Sequence, residues 1–157
     1  MNILYMEHIV IQSNTANLTK VEQFLDTVCD TMNIHNYYGK ISVAVMQAVE
    51  NAILHGNKSD ESKSVSIKYS KCRGGIAFIV EDEGDGFNYK GYSGLSLEGG
   101  KGDGIFLMQT LADSCTYSKG GKRVKLEFMI QGIEASRSLE RAATLQHFFD
   151  PKKINVW

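Results

Sequence analysis

Residues 47–57 read QAVENAILHGN, and residues 80–87 read VEDEGDGF. The first stretch has apolar residues at helical spacing with amides along one edge, and the second has the end of an apolar strand followed by an acidic, glycine-rich turn. A third stretch, GGKGDG at residues 99–104, leads into another helical pattern. This order of helix, acidic strand end and glycine cluster predicts a nucleotide site rather than a simple core.

The bulk composition predicts one globular domain in a reducing compartment. A net charge of −1 gives no electrostatic reason to expect nucleic acid or an anionic membrane as a partner. Three cysteines (Cys29, Cys72 and Cys115) are widely spaced and form no CxxC pair, which favours free thiols over a disulfide framework or a zinc site. Residues 1–8 do not resemble a signal peptide and no long apolar stretch is present, so we expect a cytoplasmic protein.

Hydrophobic periodicity predicts an α+β fold. Alternating or short apolar runs bounded by turn residues predict strands at 8–12, 64–71, 76–81, 115–118 and 124–130. Three- and four-residue spacing predicts helices at 17–32, with Asn17 as the cap, at 38–55, with a left-handed stop at Gly56 and Asn57, and at 105–112. The fold class expected is a two-layer sandwich, a mixed, mostly antiparallel sheet covered on one face by helices. Residues 1–132 form this domain, and 133–157 a helical extension.

The helix at 38–55 has an apolar stripe with two amides at its border. At about 100° per residue, Gln47 and Asn51 lie one turn apart beside the stripe of Ile41, Val45 and Ala52. A neutral amide oxygen suits a hard cation such as magnesium. Alone, such a pair is more often engaged in local hydrogen bonds on the helix surface, and only its place beside the glycine stretches favours the functional interpretation.

The acidic turn offers a carboxylate at the end of a strand. Asp82 is followed by Gly84 and Gly86, which allow a flat ligand to approach the backbone, and a buried carboxylate can accept a hydrogen bond from an exocyclic amine. The alternative is an ordinary hairpin turn, because Asp, Glu and Gly all favour turns. The spacing of a calcium loop is not met.

The glycine stretch before the third helix is typical of an anion site. Glycines at 102 and 104 expose backbone N–H groups near a helix N-terminus, where a phosphate is stabilised, and Lys101 is within reach of such a phosphate. The spacing matches neither the dinucleotide fingerprint nor the P-loop. Alone the signal is weak, because glycine loops are common and an exposed lysine is usually only solvated.

Together the three stretches resemble the ATP-binding domain shared by gyrase, Hsp90, histidine kinases and MutL, and within it the bacterial anti-sigma-factor serine/threonine kinases. The resemblance covers roughly residues 8–130 and lies in AVENAILHG (48–56), VEDEGDGF (80–87) and GDGIFLM (102–108). It implies that Asn51 is the magnesium ligand and that Asp82 accepts a hydrogen bond from the adenine amine. It further implies an adenine pocket shaped by Gly84 and Gly86, a triphosphate wrapped by Gly102 and Gly104, and a flexible lid at 88–101.

The resemblance also implies protein partners: a sigma factor, a small antagonist protein that is phosphorylated on serine, and a second copy in a homodimer.

Three positions depart from the family pattern. Gln47 replaces the glutamate that acts as general base, and an amide cannot take a proton. Asp103 adds a negative charge beside the expected triphosphate. Lys122 replaces the threonine that usually follows the glycine pair at 120–121.

Several functions therefore remain open. The first is an ATP- and magnesium-dependent serine/threonine kinase of a partner-switching pathway, with catalysis weakened at Gln47. The second is a nucleotide-gated binding module without turnover, and the third is a degenerate protein-binding scaffold. A detached histidine-kinase catalytic domain is least favoured, because no phosphoacceptor helix pair precedes the ATP-binding pattern.

Overall fold

The computed structural model describes residues 8–87 and 101–130, and for residues 101–103 it describes the backbone alone. Residues 88–100 of the lid predicted at 88–101 lie outside the described residues, as do the helical extension at 133–157 and the side chain of Asp103. Lys101, the last residue of that lid, is helical. Within the described ranges, no helix has the length and apolar character needed to cross a bilayer. The elements are β1 (His8–Gln12), α1 (Leu18–Thr31), α2 (Tyr38–Asn51), β2 (Ser64–Cys72), β3 (Gly75–Glu81), α3 (Lys101–Leu111), β4 (Ser114–Ser118) and β5 (Arg123–Met129).

The five strands form one sheet in the order β1-β2-β3-β5-β4. All four pairings between these strands are antiparallel, so the sheet that the sequence predicts as mixed and mostly antiparallel is antiparallel throughout its described part. The pairings Ile67↔Val80 and Val80↔Val124 place apolar residues of three neighbouring strands on one face. Strand β3 is the central strand; it ends beside the acidic turn, and its neighbour β5 begins there.

The helices cover one face of the sheet. A row of rings, Phe24, Tyr69, Phe78 and Phe128, joins α1 to the sheet with centroid separations of 6.1–6.2 Å. The opposite face carries charged pairs such as Lys125 with Glu127 at 3.0 Å. A core on one side and ion pairs on the other confirm the predicted two-layer arrangement. The largest fully buried side chains are Phe78, Phe128, Leu25, Ile34, Ile41, Ile53, Ile67, Ile76, Ile105, Met108, Leu126 and Ile130.

The start of α1 differs in detail from the prediction. Asn17 stands at the N-cap position, but its side chain makes no capping hydrogen bond. Its amide instead donates to the carbonyl of Gln12 at 3.0 Å and so ties the helix to β1. The capping role falls to Asn14, whose side chain accepts from the N–H of Ala16 at 2.8 Å in a short 3₁₀ turn that precedes the helix.

The end of α2 is a π-helical turn, Ala52–Gly56, rather than a simple stop. The N–H of Asn57 donates to the carbonyl of Ala52, five residues earlier, at 2.8 Å. Gly56 and Asn57 are not left-handed as predicted; the positive φ angles belong to Lys58 and Ser59. Widened turns of this kind frequently accompany functional sites, because they redirect the side chains that follow.

Helix α3 begins at Lys101, four residues before the predicted start at Ile105. Glycine has a low helix propensity, so Gly102 and Gly104 led to the prediction of a loop. The first helical turn is also where tertiary contacts override propensity most easily, since its N–H groups need no intrahelical partner. Gly104 is buried against α2, and this contact accounts for helix at a glycine-rich sequence.

Candidate functional site

A cleft opens between α2 with its π turn, the ends of β3 and β5, and the start of α3. Its floor is apolar and its rim carries an amide, a carboxylate and an ammonium group, a composition typical of small-molecule sites. The residues that line it are Ala48, Asn51, Ala52, His55, Gly56, Val80, Asp82, Gly86, Phe87, Ile105, Tyr117, Gly121, Lys122 and Val124.

Asp82 is one of three buried polar or charged residues in the described part of the chain, with 9% exposure. Its N–H donates to the carbonyl of Lys122 at 2.9 Å, and its Oδ1 accepts from the N–H of Gly84 at 2.8 Å. Burial raises the pKa of this carboxyl above its usual value, while the bond from Gly84 and the charge of Lys122 act against that rise.

The second carboxylate oxygen of Asp82 is available to a ligand. Among the described residues, none donates a hydrogen bond to Oδ2. A carboxylate oxygen that opens into the cleft and accepts from none of the described residues is free to accept a hydrogen bond from an amine that enters the cleft. The cleft therefore presents one directed acceptor on an otherwise apolar floor.

Glycines around the cleft permit close contacts that a side chain would prevent. A Cβ at Gly84 would meet the carbonyl of Gly56, and a Cβ at Gly86, where φ is +83°, would meet the carbonyl of Gly120. A Cβ at Gly121 would lie 2.6 Å from the carbonyl oxygen of Phe87. The acidic turn is thus seated directly on the backbone of the π turn and of the β4–β5 connection.

Gln47 and Asn51 form the amide pair that the helix geometry predicts. Gln47 Nε2 donates to Asn51 Oδ1 at 3.1 Å. A Cβ at Gly104 would lie 2.7 Å from Gln47 Nε2 and 3.1 Å from Asn51 Nδ2, so the start of α3 lies against both amides. No carboxylate stands at position 47, and an amide in its place can orient a hydroxyl but cannot accept its proton.

The amide pair suits a magnesium ion that takes one oxygen ligand from the protein. The described residues contain no group of three His, Cys, Asp or Glu side chains that would hold a metal by themselves. Asn51 Oδ1 has two lone pairs, of which Gln47 engages one, so it can offer one oxygen. Magnesium commonly takes one or two protein oxygens and fills its remaining positions with water and phosphate oxygens.

Of the predicted site residues, Asn51, Asp82 and Gly86 line this cleft. Gln47, Gly84 and Gly104 lie beside it, where Gln47 contacts Asn51, Gly84 contacts Asp82, and Gly104 lies against both amides. Gly102 belongs to the first turn of α3, and the side chain of Lys101 lies outside the described residues.

Sequence reasoning missed Tyr117, whose ring meets Phe87 edge-on at 5.2 Å in the wall of the cleft. The alternation of β4 places Tyr117 on the inner face, and this was the available signal. His55 is exposed at the cleft rim, as expected for a residue at a helix end.

Comparison with known proteins agrees with this geometry. A family model described as the histidine kinase-like ATPase domain matches residues 11–128. The histidine kinase domain of the blue-light activated histidine kinase EL346 from Erythrobacter litoralis superposes with a TM-score of 0.51 at 17% identity, over 73% of this chain and 63% of that one. At that identity the likeness concerns the fold alone.

Two groups of curated relatives match part of the chain. The anti-sigma F factor of Clostridium perfringens strain 13 is 39% identical over 93 residues, which is 55% of this chain and 66% of the relative. The serine-protein kinase RsbW of Bacillus subtilis strain 168 is 32% identical over 84 residues, which is 46% of this chain and 52% of the relative. The matched part thus spans between half and two thirds of these relatives. The family model covers most of the length of this chain, and the chain therefore belongs to the histidine kinase-like ATPase domain family.

Proposed function

We propose that this chain binds an adenine nucleotide in the cleft and acts as an anti-sigma-type regulator in a partner-switching pathway. The observation that carries the proposal is Asp82: its carboxyl group is buried in a cleft with an apolar floor, and none of the described residues donates a hydrogen bond to its Oδ2. An exocyclic amine of adenine supplies the missing donor. Gly84 and Gly86 let the turn pack against the carbonyls of Gly56 and Gly120, and this packing holds Asp82 at the cleft.

The phosphates are assigned to the other end of the cleft. The first turn of α3, with Gly102 and Gly104, offers backbone N–H groups and the positive end of a helix dipole. Lys101 adds a cation, and Asn51 is the proposed ligand of the magnesium ion that accompanies the nucleotide. Bound magnesium supplies charge neutralisation at the phosphates, while the chain's own amides orient the groups around them.

Protein partners are proposed from the names of the relatives. Proteins called anti-sigma F factor and serine-protein kinase match this chain over 46–55% of its length. We therefore propose a sigma factor or a small antagonist as partner, a homodimer as the working form, and the cytoplasm as the compartment. Kinase activity would move the γ-phosphoryl group of ATP to a serine hydroxyl, giving ADP and phosphoserine. The hydroxyl proton would go to solvent, since Gln47 cannot hold it.

One specific contact is also compatible with a second function, which the relatives do not favour. Gln47 Nε2 donates to Asn51 Oδ1, so the residue that replaces the base also engages the proposed metal ligand. This arrangement suits a binding module in which nucleotide occupancy changes partner affinity without turnover. The two functions share the nucleotide site and differ in catalysis alone.

Calorimetric titration of Mg-ATP and Mg-ADP into the purified protein tests the proposal, with Asp82→Asn as the matched variant. We expect saturable binding by the wild type and a loss of at least about 10-fold in Asp82→Asn, because the substitution places an NH2 donor where Oδ2 would accept from the amine of the base. Asn retains an acceptor for the N–H of Gly84, so the turn itself is preserved.

Two results would contradict the proposal. Wild-type protein that takes up neither nucleotide would leave protein recognition by a degenerate scaffold as the working function. Equal affinity of the wild type and Asp82→Asn would mean that the nucleotide binds elsewhere.

A further inference from the structure

Asn57 lies behind the acidic turn and is almost completely buried, with 1% exposure. Its Oδ1 accepts from the N–H of Glu83 at 2.8 Å. Its Nδ2 donates to Ser13 Oγ at 2.8 Å and to the carbonyl of Ser64 at 2.9 Å. One amide therefore joins the residue after the π turn to the residue after β1, to the start of β2 and to the turn that carries Asp82.

Glu83 makes a second attachment of the same turn. Its Oε1 accepts from the N–H of Ser64 at 2.8 Å, although the side chain is exposed. Residue 83 is thus held through its main chain by Asn57 and through its side chain by the start of β2. Both attachments converge on the backbone of β2 at Ser64.

The geometry of Asp82 depends on the residue between these attachments. The Asp82 carboxylate is oriented by the N–H of Gly84, and the peptide planes on either side of residue 83 set the direction of that N–H. A shift of the residue 83 backbone would turn the Gly84 N–H and release Oδ1. The Asp82 main chain is fixed independently by the carbonyl of Lys122, so the change would fall on the side chain.

We propose that Asn57 and Glu83 are positioning residues that aim the Asp82 carboxylate at the exocyclic amine of the bound base and so set the selectivity for 6-amino purines. This inference rests on the proposed nucleotide function. Neither residue touches the nucleotide in this scheme, since both act through the turn. A purely structural role would contribute to folding and leave the choice of base unchanged.

The test compares binding of ADP and of inosine diphosphate, which carries a carbonyl oxygen where adenine has its amine. The ratio of the affinities for ADP and IDP depends on the orientation of the Asp82 carboxylate. It does not change when only the stability of the fold decreases. We expect Asn57→Ala to lower this ratio about 3- to 10-fold, the value of one or two weakened hydrogen bonds. We expect Glu83→Ala to lower it less, and Glu83→Gln to restore it, because a Gln oxygen still accepts from Ser64. Val28→Ala, a core truncation in α1, is the destabilised control and should keep the wild-type ratio.

Glu83 is exposed, so the Glu83→Ala and Glu83→Gln pair carries the test even where Asn57→Ala does not fold. Wild-type ratios in both Asn57→Ala and Glu83→Ala would overturn the proposal, as would a Glu83→Gln protein that behaves like Glu83→Ala. Wild-type protein that binds neither diphosphate would instead overturn the nucleotide function on which the proposal rests. The two failures are distinguishable, because the positioning proposal can fail while the wild-type protein still binds ADP, whereas failure of the nucleotide function means that it does not.

Discussion

Under the proposed function, Gln47 lies where a hydroxyl or water at the phosphate end of the cleft would have to lose its proton. Its side chain is an amide that donates to Asn51 Oδ1 at 3.1 Å, so it has no basic atom to offer. Removing a positioned base typically costs about 10²- to 10⁴-fold in rate. Phosphoryl transfer relies mainly on positioning and electrostatics, however, so a slow reaction remains compatible with Gln47.

The substitution Gln47→Glu is therefore expected to raise turnover of ATP, by up to about 10²-fold if the new carboxylate reaches the reacting hydroxyl. Release of phosphate from Mg-ATP under single-turnover conditions measures the rate. Glu50→Gln is the matched control, because Glu50 lies on the same helix outside the cleft lining and should leave the rate unchanged. An unaltered rate in Gln47→Glu would remove Gln47 as the cause of weak catalysis.

Individual residues of the cleft could be predicted when local geometry determined their direction. Gln47 and Asn51 lie one helical turn apart, and their hydrogen bond follows from that spacing. For Asn57 the sequence pattern predicts only a helix stop. Its partners lie 44 and 26 residues away along the chain, at Ser13 and Glu83, and no periodicity in the sequence reports contacts of that range.

At the scale of elements, the π turn and the acidic turn are in direct backbone contact. The carbonyl of Gly56 occupies the space that a Cβ at Gly84 would need. A Cβ at Gly56 would in turn lie 2.9 Å from Asp82 Oδ1. Two glycines thus let the π turn after α2 and the acidic turn after β3 pack backbone against backbone beside the cleft.

Gly84→Ala is expected to lower the free energy of unfolding by about 1–3 kcal/mol, because its methyl group meets backbone rather than a movable side chain. Gly39→Ala is the matched control: it lies in the first turn of α2 with no atom within 4 Å of the added Cβ. There we expect a gain of up to about 1 kcal/mol from helix propensity. Urea unfolding of both variants measures the difference, and a Gly84→Ala protein as stable as the wild type would contradict this account of the contact.

The elements were predictable where pattern and packing agree. Strands β1, β2, β3 and β5 follow apolar alternation or apolar runs, and the structure confirms them within about two residues. The start of α3 and the π turn were not predictable, because tertiary contacts at Gly104 and Gly56 overrode local propensity. Both misses border the cleft, where local rules are most often broken.

At the scale of the whole molecule, the ionised carboxylate of Asp82 lowers the free energy of unfolding of the nucleotide-free protein. Burial raises the pKa of Asp82, which means that folding disfavours the ionised carboxylate. Between the ordinary carboxyl pKa and the raised value, the folded state binds more protons than the unfolded state. Asp82 therefore increases the free energy of unfolding as pH falls through its raised pKa. It decreases the free energy of unfolding as pH rises through that pKa.

Nucleotide binding should reverse this dependence, because the base amine needs an ionised acceptor. At neutral pH, ADP at 100 times its dissociation constant adds about 2.7 kcal/mol to stability, and Tm should rise by several degrees. As pH falls toward the ordinary carboxyl range, Asp82 takes up a proton and the rise in Tm should shrink. The free wild type should meanwhile gain stability relative to free Asp82→Asn, which carries no titrating group there. Thermal unfolding of both proteins with and without ADP across this pH range measures both trends. An ADP-induced rise of equal size in Asp82→Asn would contradict the assignment, since the stabilisation would then come from a site that does not include this carboxylate.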